Sequence, residues 1–429
     1  MAAKEAARYV FALLAFVCLS QPVGAENWPR FRGPTGQGVS TETGVPTKWS
    51  ATENVAWKTP VPGRGWSSPI VWGDRVFVTT AADDGASLHL VCLDRKTGAA
   101  LWDKEVLRQK PDNKAPQNSF ATPTPVTDGE RVYVLAFDGS LAAVGMDGTV
   151  AWTNRDFKYY SQHGLAVSPI LWNDLVIVPF DGSSRGPEKF AGWQKAWEES
   201  VIMAYDSGTG RVRWRAKRGL SRIAHVVPQV VKVEGKDQLI SGAGDVVQGF
   251  DPTSGERIWT VANLGEGVVP SLVIGDGLVF ATSGFTSTTP GLGGPAIRAV
   301  RLGGQGDCTQ THIAWEQAKG VPMIASMLYA KPYLFAVTEQ GAARCLKAET
   351  GEVAGEARLR GPFSASPVWA EGRLYFLSEK GETTVVEAGP EMKEVARNAL
   401  GEKCCASPAI SQKQVFIRTE SHLYCIGKW

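Results

Sequence analysis

The sequence predicts an all-β chain closed into an eight-bladed β-propeller of four-stranded antiparallel blades. Three observations predict it. A strand–turn–strand phrase recurs eight times, and a second phrase built on Asp, Gly and Trp recurs between its copies. The last copy stops one strand short, while a matching strand stands near the N-terminus. Composition agrees: with 43% hydrophobic and 21% charged residues among 429, the chain falls in the globular range rather than the disordered or collagen-like one. Lys and Arg number 45 against 43 Asp and Glu, a net charge of +2. That leaves no basic field to hold a phosphate backbone, so no nucleic-acid role is expected.

In chain order, residues 1–25 have the pattern of an export signal. Lys4 and Arg8 form the positive region, Tyr9 to Leu19 the apolar run, and Val23-Gly24-Ala25 the small-residue cleavage site. As a helix that run rises about 16 Å, too short to span a bilayer. The expectation is cleavage near Ala25, a periplasmic or secreted protein, and no transmembrane segment in the mature chain. Residues 26–50 form an N-terminal extension, in which Trp28 and Phe31 read as a packed plug. Residues 51–429 form the propeller.

The first phrase is a small residue and Pro, a few apolar residues, a polar turn, then an apolar triplet. It reads Ser68-Pro69-Ile70-Val71-Trp72-Gly73-Asp74-Arg75-Val76-Phe77-Val78, and returns at Pro125, Pro169, Pro367 and Pro408 with the same spacing. Looser copies begin at Pro228, Pro270 and Met327. Period-2 runs of Val, Ile, Tyr and Phe separated by short turns are strands. The second phrase is a strand, Asp-x-x-Thr/Ser-Gly, then Trp: Asp94, Gly98 and Trp102; Asp206, Gly210 and Trp214; Asp251, Gly255 and Trp259. Trp152 ends a shortened copy, Trp315 holds the same place further on, and Glu349-Thr350-Gly351 is a copy without its Trp. The Asp carboxylate can accept the turn's own N–H groups, and the Gly can take positive φ. The Trp is large enough to fill the gap between neighbouring sheets.

Four strands with two faces to bury favour radial stacking. The final unit ends after three strands, and Asn54-Val55-Ala56-Trp57-Lys58 supplies the fourth, with Trp57 in the expected place.

These residues resemble the PQQ-like repeat family, named for pyrroloquinoline quinone, whose blades carry the Asp-x-x-Thr-Gly-x-x-x-Trp phrase. The resemblance covers residues 50 to 429, and the leader Asn27-Trp28-Pro29-Arg30-Phe31-Arg32-Gly33-Pro34 is similar to the start of exported members. It implies an eight-bladed propeller. The family includes quinoprotein dehydrogenases and the non-catalytic propeller lipoprotein of outer-membrane β-barrel assembly, so membership specifies architecture and leaves function open.

Long insertions fall on one face, at Leu107–Asn118, Asp181–Ser200 and Ser283–Ala296. Loops of varying length on a rigid scaffold are where binding sits. In the second, Phe190, Trp193 and Trp197 are spaced to share one stripe of a short helix. The third contains the extended tip Thr288–Pro295. Residues just before each innermost strand ring the channel mouth on this face: Arg64, Trp66, Asn118, Phe120, His163, Arg222, His225, Glu266, Met323, Phe363, Cys404 and Cys405. A mixed polar and aromatic ring suits a small polar molecule or a peptide segment.

Cys92, Cys345 and Cys425 share one repeat slot and read as core fillers. Cys404-Cys405 is an adjacent pair, and the resemblance implies that such a pair can form a strained ring beside the quinone of a dehydrogenase. Against that activity, only Glu266 and Asn118 offer themselves as Ca²⁺ ligands at the mouth, short of the six to eight the ion takes. No Cys-x-x-Cys-His, His-Glu-x-x-His or Gly-x-Ser-x-Gly motif occurs. The expected function is a monomeric binding or scaffold module that takes a peptide, protein or small polar ligand and needs no cofactor or metal. The alternative is a PQQ- and calcium-dependent dehydrogenase acting on an alcohol or sugar.

Overall fold

The computed structural model describes residues 26–185, 191–263, 265, 267–285 and 294–427. Residues 1–25, where an export signal is expected, Phe190, Glu266 and most of the Thr288–Pro295 tip lie outside the described residues. Eight antiparallel sheets follow one another along the chain, seven of four strands and one of five. In blade 1 the strands A to D are Ile70–Trp72, Arg75–Ala82, Ser87–Asp94 and Ala100–Arg108. The short A strands of neighbouring blades touch, which sets them around the axis. The propeller is closed by the N-terminal strand: Val55–Pro60 pairs with His422–Ile426, placing Trp57 opposite Cys425.

Local chemistry explains each repeat. Asp94 Oδ1 accepts the N–H groups of Lys96 (3.0 Å) and Thr97 (2.7 Å), and Asp206 does the same for Thr209 at 2.8 Å. Hydrogen bonds from Thr97 and Thr209 hold these two carboxyls below the usual range. The Trp of one blade then lies on the turn of the next. Trp57 Nε1 donates to the Arg95 carbonyl (2.7 Å), Trp152 Nε1 to Ser207 (2.9 Å), Trp214 Nε1 to Pro252 (3.0 Å) and Trp315 Nε1 to Ala348 (2.9 Å). The core sits in these seams. The strand C slot opposite each Trp takes Cys92, Ala204, Gly249 or Cys425, because a larger residue would push the indole out.

Three details differ from the sequence expectation. The fifth blade begins at Ser271-Leu272 rather than Pro270, since Ser271 holds the position that Ser326 and Ser366 hold in the next two blades. The next blade offers Trp259 no Asp-x-x-Thr-Gly turn to lie on; its Nε1 turns to Gln238 Oε1 (3.0 Å), and Gly306–Asp307 adds a parallel fifth strand beside it. The described part of the second insertion, 191–200, contains no helix. Its backbone is committed elsewhere, Gly192 to Lys195 and Trp197 to Ser221, so Trp193 and Trp197 do not share a helical stripe.

The extension runs under the axis on the face of the A–B turns. Trp28 exchanges both backbone hydrogen bonds with Val71 of blade 1. Pro29 accepts from Thr127 of blade 2, Arg30 reaches Gln229 of blade 4, and Gln37 accepts from Ile274 of blade 5. Arg32 donates to the Met327 carbonyl before blade 6, and Gly38 accepts from Trp369 of blade 7. One short segment thus fastens six blades across the channel. Trp28 and Arg32 are fully buried beneath it.

Candidate functional site: an axial cavity with a closed floor

The hydroxyl before each strand A builds the wall of the channel. Ser68 N–H donates to Thr124 Oγ1 (2.9 Å), and Thr124 N–H to Ser168 Oγ (2.9 Å). On the far side Val227 N–H donates to Ser271 Oγ (3.1 Å), Ser271 to Ser326 (3.0 Å) and Ser326 to Ser366 (3.0 Å). Ser366 continues to Ser407 (2.9 Å), whose N–H returns to Ser68 Oγ (3.1 Å). The belt is circular, with seven blades contributing a hydroxyl and blade 4 contributing Val227 instead. The Pro that usually follows has no N–H to leave unpaired at the crowded axis.

Above this belt opens a cavity of about 740 Å³. That is within the range of small-molecule sites, about 300–1,000 Å³. Phe31 of the plug forms its floor, and the insertions supply its rim through Lys114–Asn118, Trp193, Gln194 and Phe285. Of the residues expected at the mouth, Trp66, Asn118, His163, His225 and Cys405 line the cavity. Trp193 meets the His163 ring edge-on at 5.1 Å between centroids. Asn118 Nδ2 donates to the His163 carbonyl (2.8 Å), tying the first insertion to the blade 3 entry. His225 is nine-tenths buried and its Nδ1 has no hydrogen-bond partner. Burial, with His163 nearby, lowers its pKa to about 3, so the imidazole is neutral.

The other expected mouth residues do not line it. Arg64 is exposed on the rim and pairs with Ala81 only through its backbone. Phe120 packs against Phe137 behind the wall, with ring centroids 4.9 Å apart. Arg222 is spent on an ion pair with Asp245 and a bond to the Gln194 carbonyl (3.1 Å), which holds the second insertion down. Met323 N–H donates to Glu339 Oε1 (2.7 Å) at the blade 6 entry. Phe363 and Cys404 are fully buried in the core; each stands three residues before its belt serine, while the next residues, Ser364 and Cys405, line the cavity. Glu266 lies outside the described residues. The hydroxyl belt, Gln162 and Lys114–Gln117 were not singled out in the sequence, although Ser or Thr before Pro at Ser68, Thr124, Ser168, Ser366 and Ser407 was a readable signal.

The lining decides what chemistry is possible. Among the described lining residues the only formal charge is Lys114, whose Nζ rests 5.5 Å from the centre of the Phe120 ring. No described group of three or more His, Cys, Asp or Glu could hold a metal ion. Cys404 and Cys405 are separate thiols, and burial pushes the Cys405 thiol up to about 12. PQQ carries three carboxylates and is held with Ca²⁺ in the dehydrogenases. The described lining, with one cation and no carboxylate, does not fit that pair.

Fold and site together define a PQQ-like repeat propeller with a blind axial cavity. A family model described as outer membrane protein assembly factor BamB matches residues 37–114, 86–236 and 309–390, and the chain belongs to that family. Comparison with curated proteins gives no match. Among solved structures, BamB from Moraxella catarrhalis superposes with a TM-score of 0.59 at 11% identity, over 87% of this chain and 99% of that one. The computationally designed Ika8 protein gives 0.58 at 10%, over 91% and 99%. A europium-containing methanol dehydrogenase gives 0.53 at 12%, over 92% and 90%. An assembly factor, a designed chain and a dehydrogenase share this architecture, so function has to be argued from the site. Among the described residues no helix is long and apolar enough to cross a membrane.

Proposed function

We propose that this chain is an exported, non-catalytic binding module that takes a small polar ligand or a peptide segment at the insertion-rich face of the propeller. The observation that carries the reading is the axial cavity: closed below by the plug, walled by neutral hydroxyl and aromatic groups, and rimmed by the insertions. Among the described lining residues the bases are the imidazoles of His163 and His225, burial lowers the pKa of both, and no group of three or more metal-ligating side chains is found. The family's assembly-factor description supports a module that binds rather than reacts.

Export with cleavage near Ala25 belongs to the same reading. Glu26 N–H donates to the Glu42 carboxylate at 2.9 Å, so cleavage there would put an ammonium group on a carboxylate already in place. A monomer is expected, since the propeller leaves only short, protected sheet edges to pair.

Two measurements test the reading. Purified protein given PQQ and Ca²⁺ is expected to show no dye-linked alcohol or sugar oxidation and no quinone absorbance after desalting. Both signals together would overturn it in favour of a dehydrogenase. Ligand screening by thermal shift is expected to give hits that disappear in the Trp66→Ala, Trp193→Ala double variant, whose own melting temperature stays near that of the parent. Hits indifferent to both substitutions would move the binding face elsewhere.

A further inference from the structure

The cavity also constrains the chemical class of its occupant, an inference that rests on the binding-module reading and goes one step past it. Charge comes first. A buried ligand charge needs a partner, because desolvating it unpaired costs several kcal/mol. The described lining offers no carboxylate for a cationic ligand, and its single cation is a rim lysine set over an aromatic ring. The described lining therefore fits a neutral occupant.

Shape comes second. Phe31 closes the floor, so whatever enters does so as a whole small molecule or as the end of a chain. The end of an unmodified peptide carries an ammonium, which the described lining leaves unpaired, or a carboxylate, for which it offers only the rim Lys114. The end of a neutral glycan carries neither.

The polar groups come third. Each of the seven belt hydroxyls already accepts one backbone N–H, which leaves its own hydrogen and a second lone pair for a ligand. The belt is a ring of paired donors and acceptors without charge, the complement of another set of hydroxyls. His225 adds a nine-tenths buried Nδ1 with no partner in the protein, and it lines the same space. A buried polar atom left unpaired is costly unless a ligand or water completes it. Trp66 and Trp193 bring large apolar rings to the same space, with Lys403 Nζ 5.6 Å from the centre of the Trp66 ring, and such rings suit a molecule with hydroxyls at its edge and C–H groups on its face.

We infer that the axial cavity binds a neutral carbohydrate, one or two sugar rings or the uncharged end of a longer glycan, with Trp66 and Trp193 against the ring faces and the hydroxyl belt and His225 on the hydroxyls. The binding is non-covalent and changes no bond of the sugar.

The test titrates the full exported chain with maltose, cellobiose, lactose and diacetylchitobiose, following tryptophan fluorescence and heat. Glucuronate serves as the anionic control and an end-capped alanine tripeptide as the neutral peptide control. Saturable binding of at least one disaccharide is expected, weakened about tenfold or more by Trp66→Ala and by Trp193→Ala, with melting temperatures near the parent's. The affinity is expected to be the same at low and high salt, because no ion pair contributes. If no disaccharide binds while the capped peptide binds in a Trp66-dependent way, the carbohydrate assignment falls and the binding module stands. If neither binds, both fall. Salt-sensitive binding of glucuronate in preference to the neutral sugars overturns the neutral class. Should Trp66→Ala fail to fold, Trp193→Ala on the second insertion carries the same comparison.

Discussion

At Gly210 two demands meet on one backbone position. Its φ is +73°, a conformation that L side chains rarely adopt, and a Cβ there would lie 2.4 Å from the Trp152 ring of the preceding blade. The first demand comes from the turn that Asp206 organises, the second from the seam that Trp152 fills. Gly210→Ala is expected to lower unfolding free energy by more than the roughly 1–2 kcal/mol of the left-handed backbone alone, because the indole must also move. Urea unfolding measures it, and an unchanged midpoint would show that the seam is not packed as described. His225 sets a second residue-scale expectation. The unfolded imidazole takes a proton below about pH 6.5, whereas the folded one resists until about 3, so acid favours the unfolded chain. Stability contributed this way is complete above pH 6.5 and is lost as pH falls from there towards 3. His225→Gln should flatten the melting temperature against pH across that window; an unaltered slope would mean the imidazole titrates normally.

At the scale of an element, the strand Val55–Pro60 holds the end of the ring to its beginning. Lys58 within it reaches Glu402 (2.9 Å), which also accepts from Thr419, His422 and Tyr424. Burial works against the Glu402 charge, but those donors overcome it and leave the carboxyl at about 2. Trp57 is 7% exposed and lies across the Asp94–Gly98 turn of blade 1. Trp57→Ala is expected to cost about 3–5 kcal/mol, the usual range for a buried Trp. Hydrogen exchange of the His422–Ile426 amides should rise with it, since their ladder partner is the strand that loses its anchor. Loss confined to global stability, with those amides still protected, would place the closure elsewhere. This element was legible in the sequence because the unit is written with four strands and the last copy has three. The short strand Gly306–Asp307 was not legible, because two residues carry no periodicity.

Across the whole molecule, the hydroxyl belt joins blades that are far apart in sequence, Ser407 to Ser68 among them. Ser366→Ala removes the acceptor for the Ser326 N–H and is expected to cost about 1–3 kcal/mol. Val227→Thr keeps the volume and offers the missing hydroxyl to the Ser168 side of the ring; it should leave stability unchanged or raise it by up to about 1 kcal/mol. Denaturation of the two variants side by side checks both, and a loss at Val227→Thr as large as that at Ser366→Ala would deny the belt its role.

Taken alone, the sequence determined that the chain is a propeller, how many blades it has, and which strand closes it. Those properties are periodic: each follows from turn chemistry within a few residues, such as Asp94 to Gly98, and from a Trp repeated at fixed distance. The tertiary structure decided which side chains face the axis. Arg222 and His225 are close in sequence and both precede the same strand, yet one is tied down by Asp245 and the other opens into the cavity. That choice depends on how the insertions pack over the mouth and on a plug from the N-terminus, contacts between segments that share no period and so leave no pattern to read.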